Sequence, residues 1–407
     1  MKILDIVSKE VSNDNLQNAL DIRNNIFPTI TVKDWNRGGP KTGSLAYAGD
    51  EPVGFIPMFL KQVKITPQLT ITAAFENAVG TKEEYRGMGV GGKMIDAAGQ
   101  FLQGKADALF VYRGDERSKA YHFYEKTGHV DLLYTRNHSV DLSISKQHPQ
   151  VEITEGKQDI IANQANLLEI FQDTYYTYAG FPKREKGYWK EALESTYFAS
   201  RPANFYLLAL KKQGRMIAYL IASTQKKPIR KYAQNRLTIL EMAATYANES
   251  NMKVVLEAAC SFADKLGLEG LSINTGDDHP FLPLLRTLGF ESNQRGIQVM
   301  CKSFNSKALF QKLWKDDLVL PGVELKIWTP EQDFIALKSN QDSPNKQTVT
   351  LEMKESTLTK WLMGRIDFSS RVKEGTITVH NGNQNILDQL ANAVPHYKWE
   401  YHQLDFC

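Results

Sequence analysis

Three cysteines in 407 residues, Cys260, Cys301 and Cys407, leave an odd count with no metal-ligand spacing. A reducing cytoplasm is the setting they lead us to expect. No apolar run approaches the length that crosses a bilayer, and the N-terminus carries no long apolar stretch, so no membrane association is expected. Charge of one sign is also scarce: 49 basic against 46 acidic residues give a net +3, which argues against a nucleic-acid partner. His396, His402 and Asp405 come nearest to a metal set, but nothing else in that segment completes one, and no metal is expected. What remains is ordinary globular composition, 42% hydrophobic and 23% charged, long enough for two to three domains with their own cores.

Glycine, in contrast, is concentrated where it matters. Arg86–Gly87–Met88–Gly89–Val90–Gly91 lies between an apolar strand-like run, Leu69 to Thr81, and an amphipathic stretch, Gly92 to Leu102. A small-residue turn feeding a helix start exposes several backbone N–H groups, and the helix dipole adds positive potential there. Such a turn binds anions, most often a pyrophosphate, and Arg86 adds charge at one edge. Gly87, Gly89 and Gly92 also satisfy the G-x-G-x-x-G dinucleotide pattern, but Lys82 to Arg86 separate strand from glycines. The next strand, Ala108 to Tyr112, ends in Arg113 rather than in a ribose-binding carboxylate, so the dinucleotide reading is rejected. The motif by itself leaves a ligand-free turn open.

The surrounding block adds context. Arg86–x–x–Gly89–x–Gly91 resembles the acyl-CoA pyrophosphate loop of the GNAT acyltransferase superfamily, and Ala120 to Gly128 resembles that superfamily's next helix. Ser44–Tyr47 and Val53–Met58 read as strands joined by the turn Gly49–Asp50–Glu51–Pro52, and the order of elements through about residue 145 is the GNAT order.

A second unit begins after Ser145–Pro149. Asn204–Leu210 and Met216–Ala222 flank Lys211–Lys212–Gln213–Gly214 as a hairpin, followed by a strand, Leu237 to Thr245, and a helix, Val254 to Leu266. Leu271–Asn274 and Leu285–Phe290 complete an echo of the first unit, yet Tyr246–Met252 offers no arginine and no glycine pair. The second unit reads as a copy without the phosphate turn. From about Phe304 the pattern changes: Val323–Trp328, Gln347–Met353 and Lys373–Val379 alternate as strands, and Ser356–Arg365 reads as a capped helix ended by Gly364.

Leu362–Arg365 followed by Glu374–Val379 resembles the sterol-carrier-like domain of acetyltransferases of the enhanced intracellular survival (Eis) family. The resemblance implies an α/β chain of mixed sheets, with tandem GNAT folds at 1–147 and 148–303 and a sterol-carrier-like domain at 304–407. It implies acetyl-CoA as acyl donor, a small-molecule amine as partner and a homo-oligomer, a hexamer in family members. Arg86 to Gly92, with Lys119 and Ala120 on the next helix, would hold the cofactor, and the backbone N–H groups of Val79, Gly80 and Thr81 the thioester carbonyl. Tyr124 is the expected acid; a phenol near 10 protonating a thiolate near 8.5 is uphill by roughly 2 kcal/mol, so hydrogen bonding carries most of its effect.

For the base, Glu76 is the candidate of a generic GNAT enzyme, but the Eis resemblance implies the terminal carboxylate, here that of Cys407, and this is the expected base. Cys407 departs from the family's usual phenylalanine, and the acidic residue before it is replaced by Phe406, which weakens any transfer of polycationic aminoglycoside substrates. Tyr397 to Leu404 has the apolar and aromatic make-up of a segment that docks. Two signals are set aside: Asp277 and Asp278, expected to cap a helix near Pro280, and the basic run Lys226 to Arg236, expected to be a solvated hairpin. The expected activity is acetyl-CoA-dependent N-acetylation of a primary amine of a small molecule, aminoglycoside-like or another polyamine. A protein or peptide acceptor, and a non-enzymatic acyl-CoA or lipid carrier, stay open.

Overall fold

The computed structural model describes residues 5–37, 39–114, 119–142, 150–199, 203–225, 234–314, 318, 320, 322–338 and 347–405. Cys407 and most of the basic run after Gln225 lie outside these residues. Among the described residues no helix is long and apolar enough to cross a membrane.

In chain order the first strands are β1 (Ile6–Glu10), β2 (Lys41–Ala48), β3 (Glu51–Lys64), β4 (Thr70–Glu76), β5 (Gly80–Thr81), β6 (Ala108–Gly114) and β7 (Val130–Asp141). The second unit supplies β8 (Val151–Glu155), the short β9 (Tyr178–Ala179), β10 (Ala203–Lys212), β11 (Arg215–Gln225), β12 (Arg236–Ala244), β13 (Gly270–Gly276) and β14 (Glu291–Ser303). All but β9 join one 13-stranded mixed sheet in the order β1-β2-β3-β4-β6-β14-β7-β13-β12-β11-β10-β8, with β5 beside β3. The tandem mixed α/β architecture is thus present, but its two units exchange their last strands. Strand β14, late in the second unit, is antiparallel to β6, and β7 of the first unit is antiparallel to β13. The expected division at 147/148 separates the chain in sequence while the sheet runs across it.

Helices α1 (Leu16–Asn24) and α2 (Val32–Trp35) cover one part of the sheet, and α3 (Val90–Phe101) and α4 (Lys119–Lys126) flank the phosphate turn. Val90, Met94, Ile95 and Ala98 fall on one side of α3 and pack against Val53, Ile56 and Leu109, as helical spacing of apolar residues requires. The helix starts two residues before the expected Gly92. The apolar run Leu69 to Thr81 is not one strand. It breaks after Glu76, where Ala78 takes a left-handed φ of 50°, and resumes as β5 against Gly54 and Phe55. An alanine within an apolar run carries no turn signal, so the break was not legible.

Beyond β14, the strands β15 (Val323–Trp328), β16 (Asp333–Leu337), β17 (Gln347–Met353) and β18 (Ile377–His380) form a separate sheet ordered β16-β15-β17-β18. Its core, with Trp314 and Trp361 fully buried, is continuous with Phe75 and Phe110 of the first unit. Two expected boundaries shift. The helix Glu355–Leu362 takes Ser356 inside itself, and helix Phe368–Lys373, capped by Asp367, claims the start of the expected strand at Lys373. Asp277 and Asp278 do not cap: Asp277 pairs with Arg136 at 3.5 Å, the Asp278 carbonyl accepts from Tyr178, and helix Leu282–Thr287 begins at Phe281 without a side-chain cap.

The final segment is docked. Strand β19 (Lys398–Trp399) pairs in parallel with β9, Trp399 stacks on Phe110 at 6.4 Å, and Tyr401 meets Tyr112 edge-on at 5.2 Å.

Candidate functional site

The turn between Thr81 and α3 is braced before it is shaped. Glu51 accepts from Lys82 and from the Tyr85 hydroxyl, both at 2.7 Å, and Arg86 Nε donates to the Thr81 carbonyl at 3.2 Å. Gly87 and Gly89 then take φ of 78° and 80°, a region where a side chain is strained, and Gly89 is the N-cap of α3. The first helical bond is Lys93 N–H to the Gly89 carbonyl at 3.1 Å, so the N–H groups of Val90, Gly91 and Gly92 have no partner within the helix. A Cβ on Gly87, Gly89 or Gly92 would meet open space, whereas one on Gly91 would lie 2.5 Å from the Phe123 ring. Gly91 is therefore required for close approach of α4, and the other three leave a concave face of bare amides. That face, at the positive end of a helix and beside Arg86, fits a pyrophosphate. Met88 is exposed on its rim; Lys119 and Ala120 form the first turn of α4 one turn before Phe123.

Next to this turn the sheet opens. Strands β4 and β6 pair in parallel from Ala73↔Ala108 to Glu76↔Val111 and no further. Past that point β4 turns away through Asn77, Ala78 and Val79, while β6 continues to Gly114 against β14. Val79 lies in the break, outside both strand ladders, and Gly80 and Thr81 pair with β3.

At the opening stands Glu76, fully buried. Its Oε1 is 2.8 Å from His129 Nε2, and its Oε2, also buried, has no hydrogen-bond partner among the described residues. The other ring nitrogen of His129 is 3.1 Å from the Thr127 hydroxyl, so the imidazole is held from both sides. Tyr124 packs edge-on against His129 with ring centres 5.1 Å apart. Burial pushes its phenol well above the ordinary range, the Glu76 carboxylate adds to this and Arg113 opposes it. Arg113 lies over the Tyr121 ring and donates to Gln298 Oε1 through Nη2 at 2.5 Å; Gln298 in turn donates to Asp131. Gln298 comes from β14, so the strand exchange brings a second-unit side chain beside the first unit's site.

The structure thus brings together the glycine turn, Glu76 and Tyr124, which sequence reasoning named, and adds the β4 break, His129, Arg113 and Gln298, which it missed. His129 follows directly on the segment Ala120 to Gly128, whose resemblance concerns its helix alone. Of the terminal segment, Asp405 is buried and accepts from Arg184 at 2.6 Å and from Tyr188, while Cys407 lies outside the described residues. His402 is buried among Phe171, Tyr175 and Phe181.

Residues 41–130 match the family model of the acetyltransferase (GNAT) domain. No curated protein sequence matches the chain. Among solved structures, the chain resembles a GCN5-related N-acetyltransferase from Anabaena variabilis, with a TM-score of 0.66, 15% identity, and 99% of this chain and 100% of that one covered. A probable N-acyltransferase from Enterococcus faecalis gives a TM-score of 0.68 at 13% identity, covering 98% and 99%. Eis1 from Mycobacterium abscessus gives 0.61 at 10% identity, covering 98% of each chain. At such identities these likenesses establish the fold over nearly the whole length. The chemistry rests on the domain match and on the site it encloses: residues 41–130 are a GNAT acetyltransferase domain, and the protein that carries it is an acetyltransferase.

Proposed function

We propose that the protein transfers an acetyl group from acetyl-CoA to a primary amine of a small molecule, within an Eis-like plan of two GNAT units and a sterol-carrier-like region. The observation that carries this reading is the unpartnered, buried Oε2 of Glu76 at the strand opening, beside a turn of free amides. Acetyl-CoA, when bound, supplies the acetyl group as an activated thioester. The N–H groups of Val90 to Gly92 and Arg86 hold its pyrophosphate, and the N–H groups at Val79 to Thr81 serve the thioester carbonyl, strengthening as charge develops there.

Glu76 takes the proton released as the amine nitrogen bonds to the acetyl carbon, and His129 fixes the carboxylate and shares the load. Tyr124 keeps its proton, because burial raises its pKa and makes full transfer to a thiolate steeper than for a free phenol. Its hydroxyl therefore donates a hydrogen bond to the leaving sulfur instead of giving up the proton. A second assignment of the base, the carboxylate of Cys407, is favoured by the docking of Lys398 to Asp405 along the sheet. The cysteine count and the family likeness extend the proposal to a cytoplasmic homo-oligomer.

Free-thiol release from acetyl-CoA with a panel of amines tests the reading. Release with small amines is expected. Tight CoA binding with no release from any amine favours a carrier, and release only with peptides favours a protein acetylase. Appending a few residues after Cys407 separates the two bases. Turnover is expected to stay within about threefold if Glu76 is the base and to fall by orders of magnitude if the carboxylate of Cys407 is.

A further inference from the structure

We propose that the acceptor enters through the cleft between the two GNAT units and carries negative charge beside its amine, as a phosphate or carboxylate. This rests on the acetyl-transfer reading and narrows it. The cleft encloses about 490 Å³, within the range of small-molecule sites and too confined for a folded protein surface. Arg37, Lys41, Lys61, Lys105, Lys183 and Lys186 line it against only Glu185 and Glu191.

Three of these cations are partly neutralised: Arg37 by Asp34 at 3.1 Å, Lys105 by Glu10 at 3.0 Å and Lys183 by Glu185 at 3.6 Å. Lys61 and Lys186 have no carboxylate within ion-pair distance among the described residues, although they come from different units and line the same cavity. A concave, low-dielectric wall concentrates such a field, attracting anions and repelling a polycation. The whole chain, with net charge +3, offers no general excess of this kind.

The cleft approaches the chemistry from the other face of the sheet, through the contact of Lys61 with Phe75, the residue before Glu76. The Lys61 ammonium lies 5.7 Å from the centre of the Phe75 ring, and Phe75 is 4.9 Å from Tyr112, the first β6 residue past the last β4–β6 pair. Phe75 and Glu76 are successive strand residues and point to opposite faces of the sheet. The phosphate turn lies on the Glu76 face, where α3 packs on Leu109, whose neighbouring pair is Phe75's partner Phe110. An amine anchored by its anionic group at Lys61 and Lys186 would reach Glu76 through the gap where β4 and β6 part. The acceptor site is thus assigned to the opposite face from the donor.

The test uses matched amines with the purified full chain: glucosamine 6-phosphate against glucosamine, 6-aminohexanoate against hexylamine, and spermidine as the polycation. The expected result is a kcat/KM at least about tenfold higher for the anionic member of a pair, and the pair that discriminates identifies phosphate or carboxylate. The double variant Lys61→Gln/Lys186→Gln should raise that acceptor's KM about fivefold or more while the KM for acetyl-CoA stays within about twofold. Equal rates within both pairs, or a preference for spermidine, overturns the proposal. Calorimetric binding of glucosamine 6-phosphate and of 6-aminohexanoate supplies the separate readout. Binding that the double variant loses, with no thiol release from any amine, would sink the transfer reading and leave the cleft an anion site. No binding of either anion, together with no thiol release, overturns the anionic cleft as well.

Discussion

The two α/β units place their core strands and helices in a similar order and finish them differently. In the first, the helix after the central strand starts at Gly89 with no side-chain cap and three free N–H groups. In the second, the corresponding helix, Glu249–Lys265, starts at Asn248, whose side chain accepts from Asn251 N–H at 2.9 Å. One helix end is left for a ligand; the other satisfies itself. The strand openings differ in the same sense. Glu76 ends the β4–β6 pairing with one oxygen unpartnered. Past the last β12–β13 pair, Ile239↔Ile273, Glu241 accepts from Arg184 at 2.7 Å and from Trp189 and Tyr219 at 2.9 Å each. Arg184 also binds Asp405 of the docked tail, so the second opening is filled by an ionic network. The two openings are distinguished by their glutamates: Glu76 keeps one oxygen unpartnered, and Glu241 has both oxygens engaged.

The comparison breaks most visibly at Glu76. Glu76→Gln is expected to lower kcat by roughly 10²- to 10³-fold with little change in acetyl-CoA affinity, measured by thiol release and calorimetry. An unchanged kcat would place the base elsewhere. A smaller effect is expected at Glu400, which joins the tail to the end of β13 by accepting from Gly276 and Tyr401 N–H at 2.9 and 3.0 Å. Burial pushes its carboxyl up to about 8. The folded state therefore holds a proton that the unfolded chain has lost above the ordinary carboxylate range, and this group's contribution to stability declines from about pH 4.5 to 8 before levelling. Glu400→Gln should stabilise the fold by roughly 2 kcal/mol at pH 7, with the gain vanishing near pH 4, in denaturant titrations at both pH values. The smallest effect sharpens the contrast between helix ends. Asn248→Ala should cost about 1 kcal/mol of stability and leave CoA binding unchanged.

Much of the donor site was legible because it is local. The glycine turn, the hairpins and the spacing from Ala120 to Tyr124 are read within a dozen residues of chain, where backbone preference and helical periodicity act directly. What escaped reading is non-local. Glu76 and His129 are 53 positions apart, and Arg113 and Gln298 are 185 apart. Only the strand exchange puts Gln298 beside β6, and nothing in the composition of Glu291–Ser303 distinguishes a strand that stays in its own unit from one that crosses. The break at Ala78 escaped for the opposite reason. It is local, but its left-handed residue is not the glycine or asparagine that marks such turns.

Gly92→Asp tests the donor site most directly. A Cβ there meets nothing within 4 Å and the position lies in the first turn of α3, where a carboxylate favours the helix, so the fold should keep its melting temperature. The same carboxylate would stand where the pyrophosphate is to bind. Calorimetry should show CoA binding weakened at least about 30-fold, some 2 kcal/mol, in a protein of unchanged stability. CoA bound as tightly by the variant as by the parent would contradict the account.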